Sequence, residues 1–263
     1  MTDLFSVEGK SAVVTGGGSG IGRMVAAGLV HAGATVYISS RKADVCEATA
    51  AELTAEGPGT CTALPADLST EAGCRHLVEQ LAEHTDRLHI LVNNAGNTWG
   101  APLEEFDDAA WDRVLALNVK GVFHTTKLLV PFLELAATDD DPARIVNLGS
   151  INGLEVPPLE TYSYTASKAA VHHMTRHLAW RLAPRITVNA IAPGPFESNM
   201  MRATLEAAGD YITAGTPMHR IGRPDDMAGA VIYLCSRAGS YVTGHVLPVD
   251  GGNTVTGARG PRN

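Results

Sequence analysis

Aromatic side chains make up 5% of the 263 residues and charged ones 18%. No apolar run approaches the ~20 residues that cross a bilayer, which excludes a spanning helix from the expected architecture. Basic residues are outnumbered, 20 Lys and Arg against 28 Asp and Glu. The formal net charge of −8 argues against nucleic acid or an anionic membrane as the main partner, while leaving room for a local basic pocket. Cysteine is scarce: Cys46, Cys61, Cys74 and Cys235 form no CxxC pair and fall on unrelated predicted elements. They are expected to be reduced packing residues, neither disulfides nor metal ligands. The opening "MTDLFSVEGK" has no basic n-region and no apolar h-region, so the expected compartment is the cytoplasm. Internal repeats, low-complexity tracts and linker-like shifts in composition are missing as well, and residues 1–263 are expected to form one large α/β domain.

Glycine, by contrast, is concentrated. "VVTGGGSGIGRMVAAGLVHAG", Val13 to Gly33, runs from an apolar strand through a glycine cluster into an alanine-rich amphipathic pattern. Glycine reaches φ > 0 without penalty and lets a ligand approach the backbone, and the free N–H groups and dipole of a helix start favour an anion. A pyrophosphate fits both properties. Gly16, Gly20 and Gly22 are spaced GxxxGxG, which departs from the GxGxxG dinucleotide fingerprint, and a tight connection alone would also use glycine.

Seven β-rich runs, "SAVVT", "ATVYIS", "TCTALP", "HILVNN", "RIVNLGS", "ITVNAIA" and "HVLPVD", alternate with segments whose apolar residues recur at helical steps. Near-continuous apolar strands with right-handed crossovers predict a Rossmann-like, doubly wound parallel sheet with helices on both faces. A (β/α)₈ barrel is the competitor; it needs one more strand and does not call for a phosphate turn after the first.

Ligands of such sheets collect at the carboxyl ends of the strands. Those ends carry "NNAG" (Asn93 to Gly96), Gly149-Ser150 and "APGPF" (Ala192 to Phe196), small and polar where a plain turn would serve. Tyr164 and Lys168 stand at i and i+4 in a helical pattern, on one face. A tyrosine needs a cationic neighbour to work as acid or base near neutrality. Moving its pKa three units takes roughly 4 kcal/mol, about what one positive charge ~4 Å away supplies at an effective dielectric of 20. The same spacing also occurs on ordinary helix surfaces.

"TGGGSGIG", "NNAG", "LNVKG", Ser150, "YTASK" and "APG" follow the order and approximate spacing of the short-chain dehydrogenase/reductase superfamily, and the resemblance extends through "VTGHVLPVDGG". It implies a catalytic set of Asn118, Ser150, Tyr164 and Lys168. Tyr164 would protonate a carbonyl oxygen as hydride arrives from a nicotinamide, and Ser150 would hydrogen-bond that oxygen. Lys168 would lower the tyrosine pKa and hold the nicotinamide ribose, while Asn118 would anchor a water-mediated proton relay. Two departures are small: the Ser150-to-Tyr164 gap is slightly long, and Ser198 stands where a threonine often follows "PG".

The cofactor contacts implied are Gly16, Ser19, Gly20, Ile21 and Gly22 at the phosphates; Asp67 and Leu68 at the adenine; Asn94, Ala95 and Gly96; Tyr164 and Lys168; and Pro193, Gly194, Phe196 and Ser198. At the end of the second strand, where an NAD enzyme presents an acid, "YISSRK" offers Ser40, Arg41 and Lys42. A hydroxyl and two cations suit a 2′-phosphate, so NADP(H) is favoured, against the alternative of a solvated basic turn.

His172, His173 and His177 lack an acid or cysteine at ligand spacing and are expected at an interface or on the surface; no metal is expected. The helix that begins near Tyr164 carries Ala166, Ala169, Ala170, Val171, Met174 and Trp180 spread around it, which with the family resemblance predicts a homotetramer. Residues 195–223 are expected to form a substrate lid, with Met200, Met201, Leu205, Ile212 and Met218 along an apolar cleft. The tail "TGARGPRN" is expected to be a frayed end or a subunit contact.

Within the superfamily the chain resembles most the 3-oxoacyl thioester reductases, including the rhamnolipid-pathway branch. An NADPH-dependent reductase of 3-oxoacyl thioesters or β-keto esters is therefore expected; the alternatives are an enzyme of another ketone or secondary alcohol and a dinucleotide-binding scaffold without turnover. Asp139 to Asp141 fall where carrier-docking reductases tend to be basic, so little advantage from a carrier protein is expected.

Overall fold

The computed structural model describes residues 4–157 and 159–256, the side chains of Ala203 and Thr256 excepted. Residues 257–263, most of the tail expected to fray or to touch a neighbour, lie outside the described residues.

In chain order the main elements are β1 (Ser11–Thr15), α1 (Gly20–His31), β2 (Thr35–Ser39), α2 (Ala43–Glu56), β3 (Thr60–Ala63), α3 (Glu71–Ala82), β4 (Ile90–Asn93), α4 (Asp108–Leu115), α5 (Val122–Ala136), β5 (Ala143–Leu148), α6 (Tyr162–Leu182), β6 (Ile186–Pro193), α7 (Arg202–Gly215), α8 (Pro224–Cys235) and β7 (Val246–Val249). The strands form one 7-stranded sheet of order β3-β2-β1-β4-β5-β6-β7. Every pairing is parallel. The sheet is open, with β3 and β7 at its edges, so the barrel alternative is excluded.

Strand side chains alternate between two cores. Ala12 and Val14 of β1 face one with Val25 and Leu29 of α1, Leu53 of α2 and Val231 of α8, whereas Val13 faces the other with Leu77 of α3 and Leu129 of α5. This covering of both faces is why the strands read as continuous apolar runs. Each fully buried leucine contributes roughly 1.5–3 kcal/mol relative to exposure. Helix starts obey local chemistry: the Thr70 hydroxyl accepts the Gly73 N–H at 3.0 Å at the head of α3. At α8, Pro224 opens the helix and Asp226 accepts the Arg223 N–H at 2.7 Å.

Beneath the carboxyl edge runs a buried polar ladder. Asn93 of β4 donates to Thr126 of α5 at 3.0 Å and to Asn147 of β5 at 2.9 Å; Asn147 in turn donates to Thr175 of α6 at 2.9 Å. All four cysteines are buried and unpaired, as expected of packing residues. No helix among the described residues is long and apolar enough to cross a membrane.

Candidate active site

Between β1 and β4 the winding of the sheet reverses, and there the carboxyl ends open a crevice. The Thr15 hydroxyl at the tip of β1 accepts the N–H groups of Asn94 (2.9 Å) and Ala95 (3.0 Å). Asn94 returns its side-chain amide to the carbonyls of Thr15 (2.9 Å) and Gly16 (3.2 Å). The "NNAG" loop and the glycine turn are therefore one unit. Gly16 sits at φ 67° and Gly20 at φ 53°, a region side chains rarely adopt. A Cβ at Gly22 would overlap the Gly16 carbonyl, so the first turn of α1 packs against the loop as no larger residue could. Ser19 stands exposed ahead of α1 with no side-chain cap bond, and Ile21 packs on the core.

The four expected catalytic residues converge. Asn118 is buried in a π-helical turn, Ala116–Gly121, a distortion frequent at functional sites. Its Oδ1 accepts the Asn97 N–H at 2.9 Å, and its amide donates to the Asn97 carbonyl and the Ser167 hydroxyl, both at 2.9 Å. A Cβ placed on Gly96 would lie 3.2 Å from Asn118 Oδ1 and 3.7 Å from Lys168 Nζ, so both groups border the same small space. Lys168 is buried and donates to the Leu148 carbonyl at 2.7 Å. Burial lowers its pKa to about 8. The Tyr164 pKa is raised by burial, opposed by a hydrogen bond from Ser150. This corrects the expectation of a phenol already depressed by the lysine. Lys168 Nζ lies 5.6 Å from the tyrosine ring centroid, and desolvation of the buried phenol is the dominant effect.

Ser40 is half-buried beside Gly18 and donates to the Lys42 carbonyl at 3.1 Å, leaving Arg41 and Lys42 exposed at the end of β2. Asp67 accepts the Ser69 N–H and hydroxyl, which hold its pKa down, with a further contribution from Arg41 across the gap. Leu68 is buried, its carbonyl close against Gly121. Pro193 ends β6; Gly194 approaches Asp250 so closely that a Cβ would lie 2.8 Å from it. The Phe196 ring packs on Gly222 in the core, which leaves only its backbone for a ligand. Ser198 faces Gly20 across the crevice, its Cβ 3.1 Å from where a Gly20 side chain would start.

The 195–223 segment contains α7, broken at Ala208. Its two ends are joined, Gly222 N–H donating to the Pro195 carbonyl at 2.9 Å. A cavity of about 280 Å³ lies between this segment and β7, and of the five apolar residues expected along a cleft only Met218 lines it. Arg220 and Asp226, paired at 2.5 Å, occupy its wall.

Two further expectations are overturned. Asp141 pairs with Lys10 (2.5 Å) and Arg144 (2.8 Å), and Asp139 with Arg185 (3.4 Å). These acids, with Asp140 between them, precede β5 and so sit at the amino edge of the sheet, remote from the site; they cannot repel a carrier there. His173 and His177 are exposed, but His172 is buried against Gly149 and Ser150, because its step from Lys168 keeps it on the inward face of α6. Among the described residues no group of three or more His, Cys, Asp or Glu is placed to hold a metal ion. Thr15 and His172 are the site residues that sequence reasoning missed. Thr15 was visible as the hydroxyl ending β1, and His172 as the third member of the i, i+4, i+8 series from Tyr164.

Residues 16–254 match a family model described as enoyl-(acyl carrier protein) reductase. The chain belongs to the short-chain dehydrogenase/reductase superfamily. It is 47% identical over 255 residues to the rhamnolipids biosynthesis 3-oxoacyl-[acyl-carrier-protein] reductase of Pseudomonas aeruginosa, covering 96% of this chain and 99% of that one. The 3-oxoacyl-[acyl-carrier-protein] reductase FabG of Thermotoga maritima is 36% identical over 251 residues, 95% and 99% of the two chains. Galactitol 2-dehydrogenase (L-tagatose-forming) of Cereibacter sphaeroides is 38% identical over 257 residues, 96% and 98%. Among solved structures, the Pseudomonas aeruginosa RhlG/NADP active-site complex superposes with a TM-score of 0.91 at 46% identity, covering 96% and 99%. Family membership makes the chain an oxidoreductase of the CH-OH/carbonyl class.

Proposed function

We propose that the protein is an NADPH-dependent reductase of 3-oxoacyl groups on small thioesters or β-keto esters, giving 3-hydroxy products. The observation that carries this is the gathering of Ser150, Tyr164 and Lys168 at the carboxyl edge, with Ser150 hydrogen-bonded to Tyr164 and Lys168 held by the Leu148 carbonyl 5.6 Å from the Tyr164 ring centroid. The relatives named for 3-oxoacyl reduction and the NADP complex of RhlG support it.

The residues fit the dinucleotide. The glycine turn, with Gly16 and Gly20 at positive φ and Gly22 packed on the Gly16 carbonyl at the start of α1, would take the pyrophosphate on the backbone of Gly16, Ser19, Gly20, Ile21 and Gly22. Ser40, Arg41 and Lys42 would hold the 2′-phosphate; Asp67 and Leu68 would flank the adenine, and Asn94, Ala95 and Gly96 the adjoining ribose. Pro193, Gly194, the Phe196 backbone and Ser198 would meet the carboxamide end. Bound NADPH supplies the hydride.

The remaining chemistry belongs to the chain. Tyr164, kept protonated at neutral pH by burial, donates its hydroxyl proton to the carbonyl oxygen while Ser150 hydrogen-bonds that oxygen. Lys168, with a pKa of about 8, stabilises the phenolate that Tyr164 leaves and holds the nicotinamide ribose. Asn118 anchors the route by which a proton returns from water. The protein assembles as a homotetramer in this reading: Ala166, Ala169, His173, His177 and Trp180 form an exposed stripe on α6, with Trp180 78% exposed, and α5 exposes Phe123 and Leu135.

The test is NADPH oxidation with acetoacetyl-CoA, ethyl acetoacetate, an acetoacetyl carrier protein and a panel of keto-sugars. Turnover of the first two is expected, and comparison with the carrier-bound substrate at low and moderate salt decides whether a carrier protein docks. Turnover of keto-sugars alone would move the protein toward the polyol dehydrogenases, and turnover of nothing would leave the scaffold reading.

A further inference from the structure

Gly149 is the last residue of β5's hydrogen-bonding run, its N–H donating to the Ile191 carbonyl at 2.7 Å. One residue on, Ser150 has left the ladder, and its N–H turns toward α6, where His172 Nε2 receives it at 3.4 Å, a long hydrogen bond. The imidazole is wedged between two glycines. A Cβ at Gly149 would overlap Nε2, and one at Gly153 would lie 2.8 Å from Cε1. Those glycines bracket Ser150 and the short turn Ile151–Gly153, which Ser150 caps by accepting the Asn152 N–H at 3.1 Å. One ring therefore touches both ends of the segment that carries the Ser150 hydroxyl.

An acceptor at Nε2 requires the neutral ring with its proton on Nδ1. Burial holds His172 in that form, with a pKa of about 4. The Gly153 backbone bonds the ring as well, so the imidazole makes polar contacts with both ends of the segment that a leucine or isoleucine filling the same space could not make. Packing alone does not account for a histidine here; an acceptor for an otherwise unpaired Ser150 N–H does.

We propose that His172 is a positioning residue for the reduction, its neutral ring fixing the Ser150 segment so that the serine hydroxyl stays on the Tyr164 phenol and on the substrate oxygen. This rests on the reductase reading above. His172→Leu keeps the volume without the acceptor, and His172→Gln keeps an acceptor. In NADPH oxidation with ethyl acetoacetate, His172→Leu is expected to lower kcat by about tenfold with KM for NADPH unchanged, and His172→Gln to stay within about threefold of wild type. The Ser150 amide should exchange with solvent faster in His172→Leu than in the other two proteins. Wild-type kcat in His172→Leu, or equal losses in both variants, would overturn the proposal. Imidazole ¹⁵N shifts of the wild type add a check that needs no variant: a proton on Nδ1 is expected, and one on Nε2 overturns it. If the wild type reduces no carbonyl, the reductase reading fails by itself and amide exchange decides for His172, equal rates in wild type and His172→Leu refuting it.

Discussion

Acidification from pH 7 to pH 5 is expected to cost the wild-type protein about 2 kcal/mol of folding stability that a His172→Gln variant retains. Burial is the main reason the His172 ring resists protonation, and the positive charges of Lys168 and Arg176 add to it, whereas the Gly153 backbone opposes them. Its pKa is lowered from 6.5 to about 4, so between those values the unfolded chain binds a proton that the folded one refuses. Stability then rises with pH across that window: intact above pH 6.5, it falls by about 2 kcal/mol at pH 5 and about 3 kcal/mol at pH 4. His89, also held down by burial, titrates alike in both proteins and cancels from the difference. Lys168 stays charged in both states throughout, since its folded value of about 8 lies above the window. The assay is urea unfolding followed by tryptophan fluorescence at pH 7 and pH 5, at one protein concentration so that subunit association is held constant. Equal losses in the two proteins would show that the ring titrates freely, and the neutral acceptor assigned to it would fall.

Tyr164→Phe should reduce turnover by at least about a hundredfold while leaving the NADPH Kd by fluorescence titration nearly unchanged, since one hydroxyl is lost from the chemistry and none from the phosphate site. Arg41→Asp should weaken NADPH on the order of a hundredfold and NADH by less than about threefold; equal losses would remove Arg41 from the 2′-phosphate. Gly22→Ala should weaken both cofactors by at least about tenfold, because the new methyl group displaces the Gly16 carbonyl from the turn; unchanged titrations would show that the turn is not the pyrophosphate seat. Light scattering should give a tetrameric mass that Trp180→Glu lowers, and a monomeric wild type would contradict the exposed stripe on α6.

The sheet was legible because its strands are buried on both faces and bounded by glycine, so apolar runs and punctuation coincide; the seven expected strands differ from the observed ones by no more than two residues at either end. Tyr164, Lys168, Ser150 and Asn118 were legible as motif residues, and the glycine turn through its composition. What escaped depends on three-dimensional approach. The acids at Asp139 and Asp141 read as a free negative patch because their partners Lys10, Arg144 and Arg185 come from other segments or from inside the sheet. His172 read as a surface residue among polar neighbours, since helical phase says which side chains share a face and not which face is buried. The tyrosine was assigned a lowered pKa from a charge count that left out desolvation, the larger effect at this depth.

The amide ladder of Asn93, Asn147, Thr126 and Thr175 has a consequence for assembly of the chain itself. Apolar strands as uniform as β4 and β5 can slide past one another with little change in hydrophobic contact, whereas their two asparagines meet only when Asn93 lies opposite Asn147. Any slip buries amides without partners, at about 1–3 kcal/mol for each orphaned group. The ladder thus acts as a key that admits one alignment of the central strands, and α6, which carries Tyr164 and Lys168, is fastened to that alignment through Thr175.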